Sequence, residues 1–200
     1  MNEEPKRLQT WLFNPHHYIA GWSAAALGLA FIAVAGYLGS LTNTHFPGLL
    51  DIFLRPPAPL GTVMAMGFID WFTFSVLVYL VGRIVSKSRI RVSDVLGTQA
   101  VARFPSVISV LVILATKPGL DLYMKAPDHL GASTGDVAAF WTMYAVVLLM
   151  EAWMVNLMFS AFLVSCNVKK DRKGRWVFIV TLILGEVVSK VVLRLLLHVM

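Results

Sequence analysis

The 200-residue chain has room for one compact domain; 58% of it is hydrophobic and only 14% charged, and its mean hydropathy is +0.72. Soluble domains carry about 25% charged residues, so this composition, with several long apolar runs, excludes an ordinary soluble globule and places the chain in a bilayer. The net charge of +6 sits in short segments between apolar runs, which points to anionic lipid rather than nucleic acid, and a lone Cys166 excludes an internal disulfide and a cysteine-built metal site.

In chain order, Leu8, Trp11 and Leu12 share one helical face, with Lys6, Arg7, Gln9 and Thr10 elsewhere. This predicts a short helix lying in the membrane interface, within a lead-in covering residues 1–19. Asn14-Pro15 ends that helix as a turn. His16 and His17, as neighbours, point apart on a helix and read as interfacial residues. The first span covers about residues 20–41. Gly21, Ala25, Gly28, Ala35 and Gly39 form a small-residue stripe on it, with Ile32 filling the gap. Lipid gives no hydrophobic drive between helices, so close backbone approach supplies the association energy. This helix is expected inside the bundle. Ala33-Val34-Ala35 resembles a signal-peptide cleavage site, but the long polar lead-in and the apolar residues beyond it argue against removal.

Residues 41–59, with Pro47, Gly48, Pro56, Pro57 and Pro59 and Arg55 as the only strong base, read as a loop on the far side of the membrane. The second span, about residues 60–82, carries Asp70 near its centre. Arg83, Lys87, Arg89 and Arg91 follow. Lys and Arg resist translocation, which keeps such loops cytoplasmic, and each contributes roughly 1 kcal/mol of attraction to anionic lipid. Ser93 or Asp94 offers an acceptor for the first amides of a helix. Pro105, which lacks an amide hydrogen, predicts a kink or break. The apolar run at 104–115 is only half the roughly 20 residues a span needs. The third span, about residues 99–116, therefore enters with Gln99 and Arg103 at or below the headgroups. There Arg103 either snorkels outward or joins Arg91, Asp94 and Gln99 in a headgroup or partner site.

A second outer loop holds Asp121, Asp128, His129 and Asp136 against Lys117 and Lys125. The fourth span, about residues 137–166, exceeds a hydrocarbon core of about 30 Å and must tilt or project; Glu151 lies near its middle. Lys169, Lys170, Arg172, Lys173 and Arg175, against Asp171, form the densest basic cluster. The last span, about residues 176–199, carries Glu186, Lys190 and Arg194. The expected fold is thus all-α and integral to the membrane: five transmembrane helices with a short N-terminal interfacial helix, in a single domain over residues 1–200. The basic segments put the N-terminus in the cytoplasm and the C-terminus outside, in a bacterial inner membrane.

Three carboxylates (Asp70, Glu151, Glu186) and three cations (Arg103, Lys190, Arg194) fall within the spans. Insertion scales assign each roughly 2.5–3.5 kcal/mol at a helix centre. Six left unpaired would cost on the order of 15 kcal/mol, as much as a whole domain's stability. Glu186 and Lys190 stand four apart, acid first, in the favourable order, and Arg194 extends that face. A polar stripe on the last helix is expected to meet Asp70 or Glu151. Such a network either holds the bundle in register or forms a proton or ion path. The sequence contains no Gly-x-x-x-x-Gly-Lys loop, no Gly-x-Ser-x-Gly elbow and no His-Glu-x-x-His pair. His45, Asp51, Asp121, Asp128, His129 and Asp136 could gather outside, but their spacing fits no ligand pattern. No catalytic residue, metal or cofactor is expected.

The lead-in ending Asn14-Pro15, five spans, and the segment Arg91-Val-Ser-Asp-Val-Leu-Gly followed by Ala100 and Pro105 resemble the bacterial branch of the Yip family, the Ypt/Rab-interacting membrane proteins. The hydropathy resemblance covers most of the chain. It implies a five-helix membrane domain without a catalytic centre. Eukaryotic members bind prenylated small GTPases, but their Asp-Leu-Tyr-Gly-Pro and Gly-Tyr-Gly motifs are missing here, and Asp121-Leu-Tyr departs at Met124. The function expected first is a non-enzymatic scaffold or adaptor for lipid or protein partners, with homo-oligomers allowed. Its cytoplasmic face would comprise Arg83, Lys87, Arg89, Arg91, Asp94, Arg103, Lys169, Lys170, Arg172, Lys173 and Arg175. The alternative is a small proton- or ion-coupled transporter or channel using the buried carboxylates.

Overall fold

Five apolar helical spans dominate the computed structural model, which describes residue 10, residues 12–125 and residues 134–197; His17, residues 117–125 and Asp136 are described by backbone alone. The expected all-α membrane fold is the one observed. Helix α1 covers Gly21–Thr42, α2 Leu60–Val85, α3 Val92–Val101, α4 Phe104–Lys125, α5 Thr134–Ser165 and α6 Arg172–Leu197. Helices α3 and α4 make one span from Val92, broken at Ala102 and Arg103 just ahead of Pro105. Proline cannot continue the amide ladder, which explains the break. This span begins well before residue 99, so Thr98 and Gln99 lie buried inside the bundle rather than at its edge. Its start at Val92 has no side-chain cap.

The small-residue stripe does what its spacing predicts. A Cβ on Gly28 would collide with the backbone of Ala100, and one on Gly97 with Gly21 O, so α1 and α3 touch backbone to backbone. They run parallel, since Gly21 meets Gly97, Gly28 meets Ala100, and Phe31 meets Phe104 just beyond, its ring tilted and 5.0 Å away between centroids. Helix α2 returns antiparallel along α1, with Gly36 against Met64 and Gly67 against Ile32. Helix α5 packs on α4 and α3, and α6 leans on α2. Ile179, Val180, Ile183, Val187 and Leu195 leave the outer face of α6 apolar and exposed, as a lipid-facing surface should be.

The end of the lead-in is helical and exposed at Leu12 and Phe13, and its backbone is tied to α5. Trp153 Nε1 donates to Leu12 O at 2.9 Å and Ser160 Oγ to Phe13 O at 3.1 Å. His16 is buried, with Nε2 at 3.1 Å from Leu157 O. Residues 12–16 therefore lie along α5. Most of the amphipathic pattern, including Leu8 and Trp11, lies outside the described residues.

The segment between α1 and α2 also departs from an outer loop. Asn43, at φ 57°, turns the chain out of α1, a left-handed conformation asparagine tolerates. Strand β1 (Thr44–His45) then pairs antiparallel with β2 (Phe53–Leu54), Thr44 opposite Leu54. Between them residues 46–52 fold back into the bundle, where Leu49 is 1% exposed and Phe46 is buried. Proline and glycine mark this stretch as irregular without saying how deep it lies.

Candidate functional site

A re-entrant tip brings unpaired backbone to mid-membrane, where no water satisfies it; such backbone persists only if protein groups bond it. Two of the intramembrane charges do this. Arg103 Nη1 donates to Leu49 O at 3.0 Å, and Leu50 N donates to Glu186 Oε2 at 3.1 Å. Arg103 also lies 3.9 Å from Met154 Sδ on α5. It stays inside the bundle and is 8% exposed. The snorkelling and headgroup-site expectations for Arg103 are thereby corrected: its chain position between two short helices, with Leu49 O as acceptor, holds the guanidinium inward.

Glu186 and Lys190 form the expected pair on α6, 2.7 Å apart. Lys190 Nζ also reaches Asp51 Oδ2 at 2.6 Å, on the re-entrant tip. Asp70 is buried and accepts a hydrogen bond from Ser189 Oγ, so α2 and α6 are joined by that contact. Asp70 and Arg103 line a common cavity of about 30 Å³ with Asp51 and Ser106, enough for about one or two waters. Among the described residues Arg103 Nη2 has no hydrogen-bond partner, which suits a bridging water there. Toward the basic loops the interior is filled by Phe74, Val78, Val95, Met158, Phe162 and Phe178, all buried. Arg194 lies a turn beyond Lys190 on the exposed face of α6.

Glu151 does not join the cluster. It lines a second cavity of about 390 Å³ with Asp51, Phe140, Met143, Tyr144, Val147 and Leu148, and with Phe53 and Leu54 of β2. Asp51 and Ser189 were not legible as partners. Asp51 and Lys190 lie on opposite sides of the chain's middle, with three whole spans between them, and nothing local to either residue signals the meeting. His45, on β1, is buried; burial, then the nearby Arg55, holds its ring below the usual imidazole range. Of the proposed outer cation set, Asp128 and His129 lie outside the described residues, as do the side chains of Asp121 and Asp136. Among the described residues no three His, Cys, Asp or Glu side chains come together as a metal site.

The basic segments meet at the other end. Asn167 Nδ2 donates to Ser88 Oγ at 2.7 Å, tying the α2–α3 loop to the α5–α6 loop. Asn167, at φ 49°, ends α5, and Gly174 N donates to Asp171 Oδ1 at 2.7 Å to begin α6. Between the loops is a cleft of about 420 Å³ lined by Lys87, Ser88, Asn167, Lys169, Asp171 and Lys173. Arg83, Lys87, Arg89, Arg91, Lys169, Lys170, Arg172, Lys173 and Arg175 are all exposed at this end, and Asp94 is half-buried in the first turn of α3. No family model matches the chain, and neither the curated proteins nor the solved structures yielded a match.

Proposed function

We propose that the chain is a non-enzymatic membrane scaffold that binds anionic lipid headgroups at its basic end and organises lipid or protein partners there. One observation carries this reading: two basic loops are bonded to each other around a cleft that three lysines line. A phosphate-bearing headgroup would balance the positive charge that Lys87, Lys169 and Lys173 carry in excess of Asp171, and each nearby Lys or Arg adds roughly 1 kcal/mol. The interior supports the same reading. Its charges bond the re-entrant tip, and packed apolar side chains fill the bundle below them. That arrangement favours a static frame over a proton or ion path.

In this reading the basic end faces the cytoplasm of a bacterial inner membrane, with the N-terminus on the same side. The resemblance to the Yip family fits a role in membrane organisation or trafficking. The test is lipid retention by the purified protein, read by native mass spectrometry from micelles doped equally with phosphatidylglycerol and phosphatidylcholine. Combining Lys87→Glu, Lys169→Glu and Lys173→Glu should lower the preference for phosphatidylglycerol by more than about tenfold. An unchanged preference in the folded variant would sink the reading.

A further inference from the structure

Glu151 stands apart from the other intramembrane carboxylates. Lys190 is engaged by Asp51 and Glu186, and Arg103 by the Leu49 carbonyl beside Asp70. Glu151 has neither a cation nor a hydrogen-bond donor within reach among the described residues. Asp51, Asp70, Glu151 and Glu186 thus share the interior with Lys190 and Arg103, two more acids than bases, and Glu151 is the one set apart from both cations. An unpaired carboxylate in a span is held at a cost that its surroundings must offset, and a residue of this kind is a functional candidate.

Its surroundings have a distinct chemistry. The cavity beside Glu151, about 390 Å³, falls in the size range of small-molecule sites, mostly apolar with a few polar groups. Phe140 and Tyr144 stack nearly parallel on its wall, 6.4 Å between centroids and 9° between planes. Ile113, Met143, Val147 and Leu148 supply the rest of the apolar lining, and Asp51 adds a second carboxylate at its edge. Aromatic faces attract cations, apolar walls accept hydrophobic substituents, and Glu151 supplies the counter-charge. A strongly hydrated metal ion has no ring of oxygen ligands here. An anion meets two carboxylates. A neutral apolar molecule leaves Glu151 uncompensated.

We propose that this cavity is a binding site for a lipophilic monocation, a quaternary or protonated amine with apolar substituents, with Glu151 as its counter-ion and Phe140 and Tyr144 as its aromatic wall. The proposal does not rest on lipid binding at the basic end, which lies across the bundle.

The experiment is equilibrium binding to the purified full chain in detergent. The probes are tetrapropylammonium and tetraphenylphosphonium, with neutral triphenylphosphine oxide as the comparison. Saturable binding of at least one cation is expected, and weaker binding of the neutral probe. Glu151→Gln should weaken cation binding about tenfold or more while leaving the neutral probe unaffected. Leu148→Trp, which pushes a bulky ring into the cavity and keeps the carboxylate, should also weaken cation binding about tenfold, and it serves as the test if Glu151→Gln fails to fold. Failure of both cations to bind overturns the proposal. So does equal binding of the neutral probe, or cation binding that is undiminished in folded Glu151→Gln or Leu148→Trp.

Discussion

Arg103 sits where a bilayer least tolerates a guanidinium, yet the structure gives it a specific task. Its Nη1 bonds the Leu49 carbonyl, and its charge lies beside the Asp70 carboxylate in the same small cavity. Removing one member of a buried charged set costs about 3–5 kcal/mol, because the remaining groups are left uncompensated. Arg103→Met should therefore lower the thermal midpoint of the purified protein, and by more than Asp70→Asn, which takes away the neighbouring charge but keeps both the acceptor for Ser189 and the bond from Arg103 to Leu49. Arg103→Lys should fall between, since a compact ammonium lacks the guanidinium fork. Equal midpoints for Arg103→Met and the native chain in a detergent melt would show that the re-entrant tip needs no such tether. At this scale the sequence is a partial guide. Spacing makes Glu186 and Lys190 legible as a pair. The partners of Arg103, Asp70 and Lys190 come from elements far away in the chain, and only folding brings them together.

Helix contacts follow from where side chains are missing. Gly28 lies against the Ala100 backbone, and backbone cannot swing aside as a side-chain tip can. Gly28→Ala must therefore push α1 off α3, at a cost of about 1–3 kcal/mol typical of overpacking. Gly61, in the first turn of α2, has nothing within 4 Å of the position a Cβ would take. Gly61→Ala should be neutral or slightly stabilising, because a helical glycine loses more backbone entropy on folding than alanine. A detergent melt of the two variants separates packing from propensity. Equal effects would mean that α1 and α3 are not in backbone contact. The elements themselves were largely legible, since apolar runs near 20 residues, the small-residue stripe and Pro105 each have a direct physical reading. The re-entrant turn was not. Pro47 and Gly48 announce irregular chain equally well in a surface loop and in one that bonds to Glu186 at mid-membrane.

The whole molecule has two unlike ends, and that polarity is open to measurement. Asn167 and Ser88 bond across the gap between the two basic loops, so Arg89 and Lys170 belong to one end whichever leaflet it faces. Pro57, exposed in the segment leading into α2, lies a full span away from the loop that follows Val85. Cys166 is buried against Gly82, away from aqueous reagents. A thiol so placed is nearly inert to a water-soluble maleimide, which cannot reach it. Single cysteines can then be introduced into the otherwise native chain as Arg89→Cys, Lys170→Cys and Pro57→Cys. In sealed vesicles of one orientation, a membrane-impermeant maleimide should label the first two together and the third only from the opposite side. The pairing of the first two tests the fold, because it follows from the bonded loops. Which side they face tests the proposed cytoplasmic orientation, because that follows from the preference of positive charge for the cytosolic leaflet. Labelling of Arg89→Cys and Lys170→Cys from opposite sides would break the five-span arrangement itself. Labelling of both from the outer side would keep the bundle and reverse its placement in the membrane.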